Sequence, residues 1–112
     1  MNTREVIIEV GAEGGSIALY GFLTEHGWVF TRETVDQTPE LIDEDWLKSN
    51  SACVDSWQAA VKLLDQYPWC KLYPVTIHPE FRQQIWSAVQ ERLRNDSGSE
   101  YQLRHWRELC QV

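Results

Sequence analysis

Apolar and polar positions change places every second residue at the start of the chain. Val6, Ile8 and Val10 alternate with Glu5, Ile7 and Glu9, the period of a strand with one face buried. Gly11-Ala12-Glu13-Gly14-Gly15 interrupts the alternation with residues that tolerate turn geometry. A second apolar run from Ser16 to Leu23 carries Ile17, Leu19, Tyr20 and Phe22. Thr24-Glu25-His26-Gly27 reads as another turn, and Trp28-Val29-Phe30-Thr31-Arg32 opens a third strand rich in aromatic and β-branched residues. Connections this short favour an antiparallel meander.

The period lengthens from residue 36 onward. Thr38-Pro39-Glu40 has the form of a helix start, with Leu41, Ile42 and Trp46 as a short apolar face, although an acid-rich loop fits the same residues. Asp55 precedes Trp57, Ala60, Val61 and Leu64, which share one side of a helix that Tyr67-Pro68 closes. Leu72, Tyr73, Val75 and Ile77 prefer an extended chain, and Pro74 confines any strand there to a sheet edge. Phe81, Ile85, Val89 and Leu93, flanked by Trp86, mark the clearest helix. Asn95-Asp96-Ser97-Gly98 ends it, and Ser99 with Gln102 forms a capping-box pattern ahead of Leu103, Trp106 and Cys110. The expected fold is α+β over residues 1–112. Strands occupy about 5–34 as a three-stranded meander, and helices at about 55–66, 79–94 and 100–110 cover one face.

Charge changes this picture more than composition does. The 112 residues carry a net charge of −7, and residues 1–79 hold 12 acids against 5 bases while residues 80–112 hold 5 of each. Glu33, Asp36, Glu40, Asp43, Glu44 and Asp45 follow one another with no Lys or Arg between them. Such a surface repels nucleic-acid phosphates and anionic membranes and steers basic partners toward itself. The chain has no apolar run of the ~20 residues that spanning a bilayer takes. Its N-terminus lacks a basic region followed by an apolar stretch, which predicts a cytoplasmic protein.

No arrangement for catalysis or metal binding is legible. The three cysteines, Cys53, Cys70 and Cys110, include no CxxC pair and read as reduced, mostly buried thiols. His26, His78 and His105 lack the spacing of a metal set. The glycine-rich loop at 11–16 has no following Lys, and Glu13 places negative charge inside it, so it reads as a hairpin turn and not a phosphate cradle. Cys53 or Ser56 with Asp55 and His78 has no nucleophile elbow or cysteine-protease signature around it. No cofactor and no metal are expected, and the balance leans away from an enzyme.

The six tryptophans divide into two groups. Trp28, Trp57, Trp86 and Trp106 lie in or beside apolar stripes and belong to a core; Trp46 follows an acidic triplet and Trp69 follows Tyr67-Pro68 in a connection. Exposed aromatics bordered by acid suit a partner that brings basic side chains and apolar anchors. Three sets of residues, Glu13-Gly14-Gly15-Ser16 through Leu19-Tyr20-Gly21, Ser56-Trp57-Gln58-Ala59-Ala60 with Leu64-Asp65-Gln66-Tyr67-Pro68-Trp69, and His78-Pro79-Glu80-Phe81-Arg82 with Ile85-Trp86, together resemble a family of short bacterial proteins of unknown activity. The resemblance spans residues 5–94. It implies a bacterial, cytoplasmic protein and carries over no catalytic residue.

The leading expectation is a non-enzymatic module that binds a protein of basic or mixed surface, with no nucleic-acid or membrane partner. Glu40, Asp43, Glu44 and Asp45 would steer association; Trp46 and Trp69 would anchor it. The second is a small-molecule-binding or hydrolytic protein with a pocket between sheet and helices lined by Trp28, Trp57 and His78. Self-association through an exposed sheet edge or aromatic patch is the third.

Overall fold

The computed structural model describes residues 4–32, 43–49, 52–65, 67–94 and 100–111. The meander forms where the alternation predicts it, from β1 (Arg4–Ala12), β2 (Gly15–Thr24) and β3 (Gly27–Thr31). It is the middle of a five-stranded antiparallel sheet, order β4-β3-β2-β1-β5, completed by β4 (Cys53–Val54) and β5 (Tyr73–Ile77). The extended stretch around Pro74 is the edge strand that proline allows. β4 has only two residues, too few to leave a period in the sequence.

Alternation fails at one point, with consequences for the core. Val6 pairs with Tyr20 and Ile8 with Leu19, so Ile7 is the extra residue of a bulge. Both Ile7 and Ile8 are consequently buried. Ile7 fills the space over Gly21, where an added Cβ would lie 2.8 Å from its Cδ1 and Cγ1. The glycine is needed for that close approach.

Three helices cover this face, namely α2 (Trp57–Lys62), α3 (Arg82–Leu93) and α4 (Glu100–Cys110). Their buried residues, with Ile7, Ile8, Val10, Leu19 and Phe30 of the sheet, form one apolar cluster. Ser56 caps α2 through its hydroxyl, which accepts from the Ala59 N–H at 3.2 Å. A 3-10 turn, Pro79–Phe81, leads into α3. The capping box expected at the start of α4 involves Ser99, which lies outside the described residues. The buried Gln102 amide donates to the carbonyls of Trp69 and Leu72 at 3.3 and 3.1 Å, tying α4 to the connection before β5.

A further helix, α1 (Glu44–Ser49), packs elsewhere. Phe22 and Val29 point to the face opposite Phe30 and Leu19, as strand alternation requires. There they meet Leu47, Trp46 and Cys53 in a second apolar cluster. The sheet is thus covered on both faces at its β3 end, where the sequence predicts cover on one.

Candidate functional site

The acidic segment predicted to receive a partner is partly within the described residues. Glu40, and the helix start expected at Thr38-Pro39, lie outside them. Asp43 is the N-cap of α1. Its Oδ1 accepts from the Trp46 N–H at 2.8 Å and its carbonyl from the Leu47 N–H at 3.0 Å. Asp43 and Asp45 are exposed, and carboxylates here complement the positive end of the short helix. Glu44 is the first residue of α1. Trp46 is half-buried, packed with Leu47 against Phe22 and Val29. Asp43, Glu44, Asp45 and one of the two expected anchors therefore belong to one short helix and its cap, fixed to the sheet by its apolar side.

Trp69 does not join them. The expectation of an exposed anchor is corrected by its burial: the residue is 5% exposed and its ring tilts against Trp106 at 5.7 Å. Its indole N–H donates to Asp65 Oδ1 at 2.6 Å. Arg92 closes the same cluster from α3, donating from Nε to Asp65 Oδ1 at 2.7 Å and from Nη2 to Oδ2 at 3.0 Å, with its guanidinium 5.4 Å from the Trp69 ring centre. Partial burial alone would raise the Asp65 carboxyl. Hydrogen bonds from Arg92 and Trp69 and the charges of Arg92 and Lys62 outweigh it and hold the group below the usual aspartate value. The connection after Tyr67-Pro68 reads as exposed in the sequence because Asp65 and Arg92 are 27 residues apart.

The residues of the second reading do converge, and they fill the space between sheet and helices. Trp28 meets Phe81 edge-on at 5.2 Å and His78 at 5.7 Å, while Trp57 stacks on Phe81 at 5.5 Å and Phe30 lies within 6.0 Å of Trp57. Polar atoms at the rim are engaged. Trp28 Nε1–H donates to Glu80 Oε2 at 3.2 Å, the Glu80 N–H donates to His78 Nδ1 at 3.2 Å, and His78 Nε2 lies 3.2 Å from Glu5 Oε1. An accepting Nδ1 leaves the proton of the neutral ring on Nε2, directed at Glu5. Phe30 and Phe81 pack between these rings, and Trp28 also lines an open cleft on its other side.

Open space lies along β3 beside this cluster. A cleft of about 480 Å³ runs beside α1 and the β3 edge, its floor made by Val29, Leu47, Val54 and Ala59 and its rim by His26, Lys48 and Asp55. Cys53 also lines it, and burial pushes its thiol up, the reverse of what a nucleophilic cysteine requires. The Cys110 thiol, buried in the α4 core, is pushed up to about 11. Among the described residues no group of three or more His, Cys, Asp or Glu is placed to hold a metal ion, and no helix is long and apolar enough to cross a membrane.

Comparison with protein-family models, curated proteins and solved structures gives no match to this chain.

Proposed function

We propose that the protein is a binding module whose acidic α1 face receives a partner of basic or mixed surface. One observation supports this reading: the exposed carboxylates of Asp43 and Asp45 belong to a short helix anchored by Leu47 and Trp46, whose Leu47 and Lys48 line a cleft with an apolar floor and with Asp55 at its rim. An apolar centre with a charged rim concentrates binding energy while the charges set orientation and association rate. The chain's charge of −7 adds long-range attraction for a basic protein. Trp46 is the aromatic anchor of this surface; Trp69 belongs to the core and has no part in it. The neighbouring aromatic cluster of Trp28, Trp57, Phe30 and Phe81 stiffens the platform under the site.

The test is co-purification from the native host with the wild-type chain and an Asp43→Lys/Asp45→Lys variant. Partners that bind by this face are lost from the variant and weaken with salt on the wild type. An unchanged set of partners, recovered with unchanged salt dependence, refutes the proposal. Circular dichroism confirms that the variant is folded, since a lysine at position 43 removes the α1 cap.

A further inference from the structure

We infer that the cleft takes a short extended segment of the partner, which adds as a strand to the open edge of β3 at Trp28. This rests on the reading of the α1 face as a protein-binding site and names what it binds. Thr24 and Gly27 close the β2–β3 hairpin as a pair, with Phe22 opposite Val29 and Tyr20 opposite Thr31. In a two-residue hairpin the closing pair exchanges hydrogen bonds, and bonded and non-bonded pairs then alternate. Val29 and Thr31 therefore face β2 with their backbone groups, while Trp28 and Phe30 turn theirs outward. Phe30 meets Val54 of β4. Trp28 meets no strand residue among those described, because the chain leaves the sheet at Asp55 and Ser56 to cap α2. The N–H and C=O of Trp28 are directed into the lane that β4 vacates, and that lane is the cleft.

The two edges of the sheet differ in kind. β5 carries Pro74, which has no N–H to offer, and its pairing with β1 is interrupted by a register shift that leaves Val75 unpaired. Both are devices that discourage strand addition. Gly27–Val29 has neither. An incoming strand would send alternate side chains to the two sides of the sheet, one toward Val29 and Leu47, the other toward Val54 and Ala59. Asp55, exposed where β4 ends, favours a basic residue, and Lys48 across the rim makes the preference mixed. Three residues of open edge measure about 10 Å. The occupant is thus a segment of three or four residues with β-branched apolar side chains toward both sides of the lane and one basic residue where it passes Asp55.

The probe is a displayed library of random heptapeptides panned against the full chain, from which the selected peptide is synthesised and titrated into labelled protein by NMR. The expected result is enrichment of β-branched apolar residues with one basic residue, displacement of the Trp28 and Val29 backbone signals, and slowed exchange of the Trp28 amide. N-methylation of the peptide residue opposite Trp28 weakens binding roughly tenfold, as loss of a backbone hydrogen bond does. Peptides that perturb other surfaces only, or bind equally when N-methylated, overturn strand addition. If N-methylation is without effect while Asp43→Lys/Asp45→Lys still abolishes partner capture, the α1 reading stands and the strand falls. If the strand effect holds and charge reversal changes nothing, the α1 reading falls. Trp28 amide protection that appears without peptide and grows with protein concentration assigns the lane to a second copy, and also overturns the proposal.

Discussion

Replacing Gly21 with alanine tests the packing of the sheet's core face at one atom. The added Cβ would sit 2.8 Å from Ile7 Cδ1 and Cγ1 and 3.0 Å from Trp28 Cε3, where carbon atoms ordinarily rest at about 3.5–4.0 Å. Neither neighbour retreats freely. Ile7 is fully buried in its bulge, and the Trp28 ring is held between Phe81, Phe30 and His78 and by its bond to Glu80. Overpacking of this kind costs about 1–3 kcal/mol. Loss of glycine's freedom in the unfolded chain returns about 0.4–1 kcal/mol, for a net loss of roughly 1–2 kcal/mol. For a domain of this size that is a drop in Tm of about 4–8 °C.

Urea unfolding followed by tryptophan fluorescence gives the difference directly, through a lower midpoint at unchanged slope. Gly15→Ala is the control: no atom lies within 4 Å of the place its methyl would take, and its backbone is not left-handed, so it leaves stability unchanged or slightly raised. Ile7→Ala alone costs about 2–5 kcal/mol. Combined with Gly21→Ala it costs about 1 kcal/mol less than the two separate losses together, because the new methyl enters the vacated space. A Gly21→Ala protein as stable as wild type, or strictly additive with Ile7→Ala, would show that the contact is not tight.

Asp65→Asn removes the anion that Arg92 and Trp69 hold, and lowers stability by about 1 kcal/mol at neutral pH, a figure that allows for solvent screening of this part-exposed pair. Because the folded-state pKa lies below the unfolded one, that contribution is fully present above the ordinary value of 3.8 and fades as pH falls through the folded value. Denaturant titrations of both proteins therefore converge in acid; a gap that stays constant with pH refutes the linkage. Cys110 has the opposite sign. Its raised pKa keeps the thiol neutral in the fold, so stability present below pH 9.0 declines as pH rises toward about 11, and Cys110→Ala removes that part of the alkaline loss in the same titration. Gln102→Met removes the buried donor to the Leu72 carbonyl, while the Trp69 carbonyl keeps the Leu72 N–H, and costs about 1–2 kcal/mol by urea unfolding; a neutral result refutes the tie between α4 and this connection.

Local patterns specify the fold further than they specify the site. Alternation in 5–31 and the helical stripes at Trp57–Leu64, Phe81–Leu93 and Leu103–Cys110 each reflect neighbours a few residues apart, and those elements form where the patterns lie. The Ile7 bulge is invisible in the sequence because alternation has only one phase, whereas an extra residue changes it midway. Trp69 defeats local reasoning for a related cause. Its partners Asp65, Arg92, Gln102 and Trp106 come from three different elements, and no spacing records their convergence. His78 and Trp28, expected to line a pocket, do come together, yet Phe30 and Phe81 occupy the space beside them, and that is settled by packing between distant segments. The cleft at β3 depends on where β4 stops, a matter of two residues in a strand too short to carry a pattern.

The pairing of β1 with β5 joins two strands with the rest of the meander, α1 and α2 between them in the chain, with the His78 N–H donating to the Ile7 carbonyl at 2.8 Å. During synthesis the meander leaves the ribosome well before anything able to shield its oily side. Translation must pass Ile77 before β1 gains the whole of its second neighbour, and must continue further before α4 arrives. Nascent chains stalled ahead of Tyr73 would thus present a bare, adhesive strand, a natural substrate for chaperones that hold unfinished polypeptides.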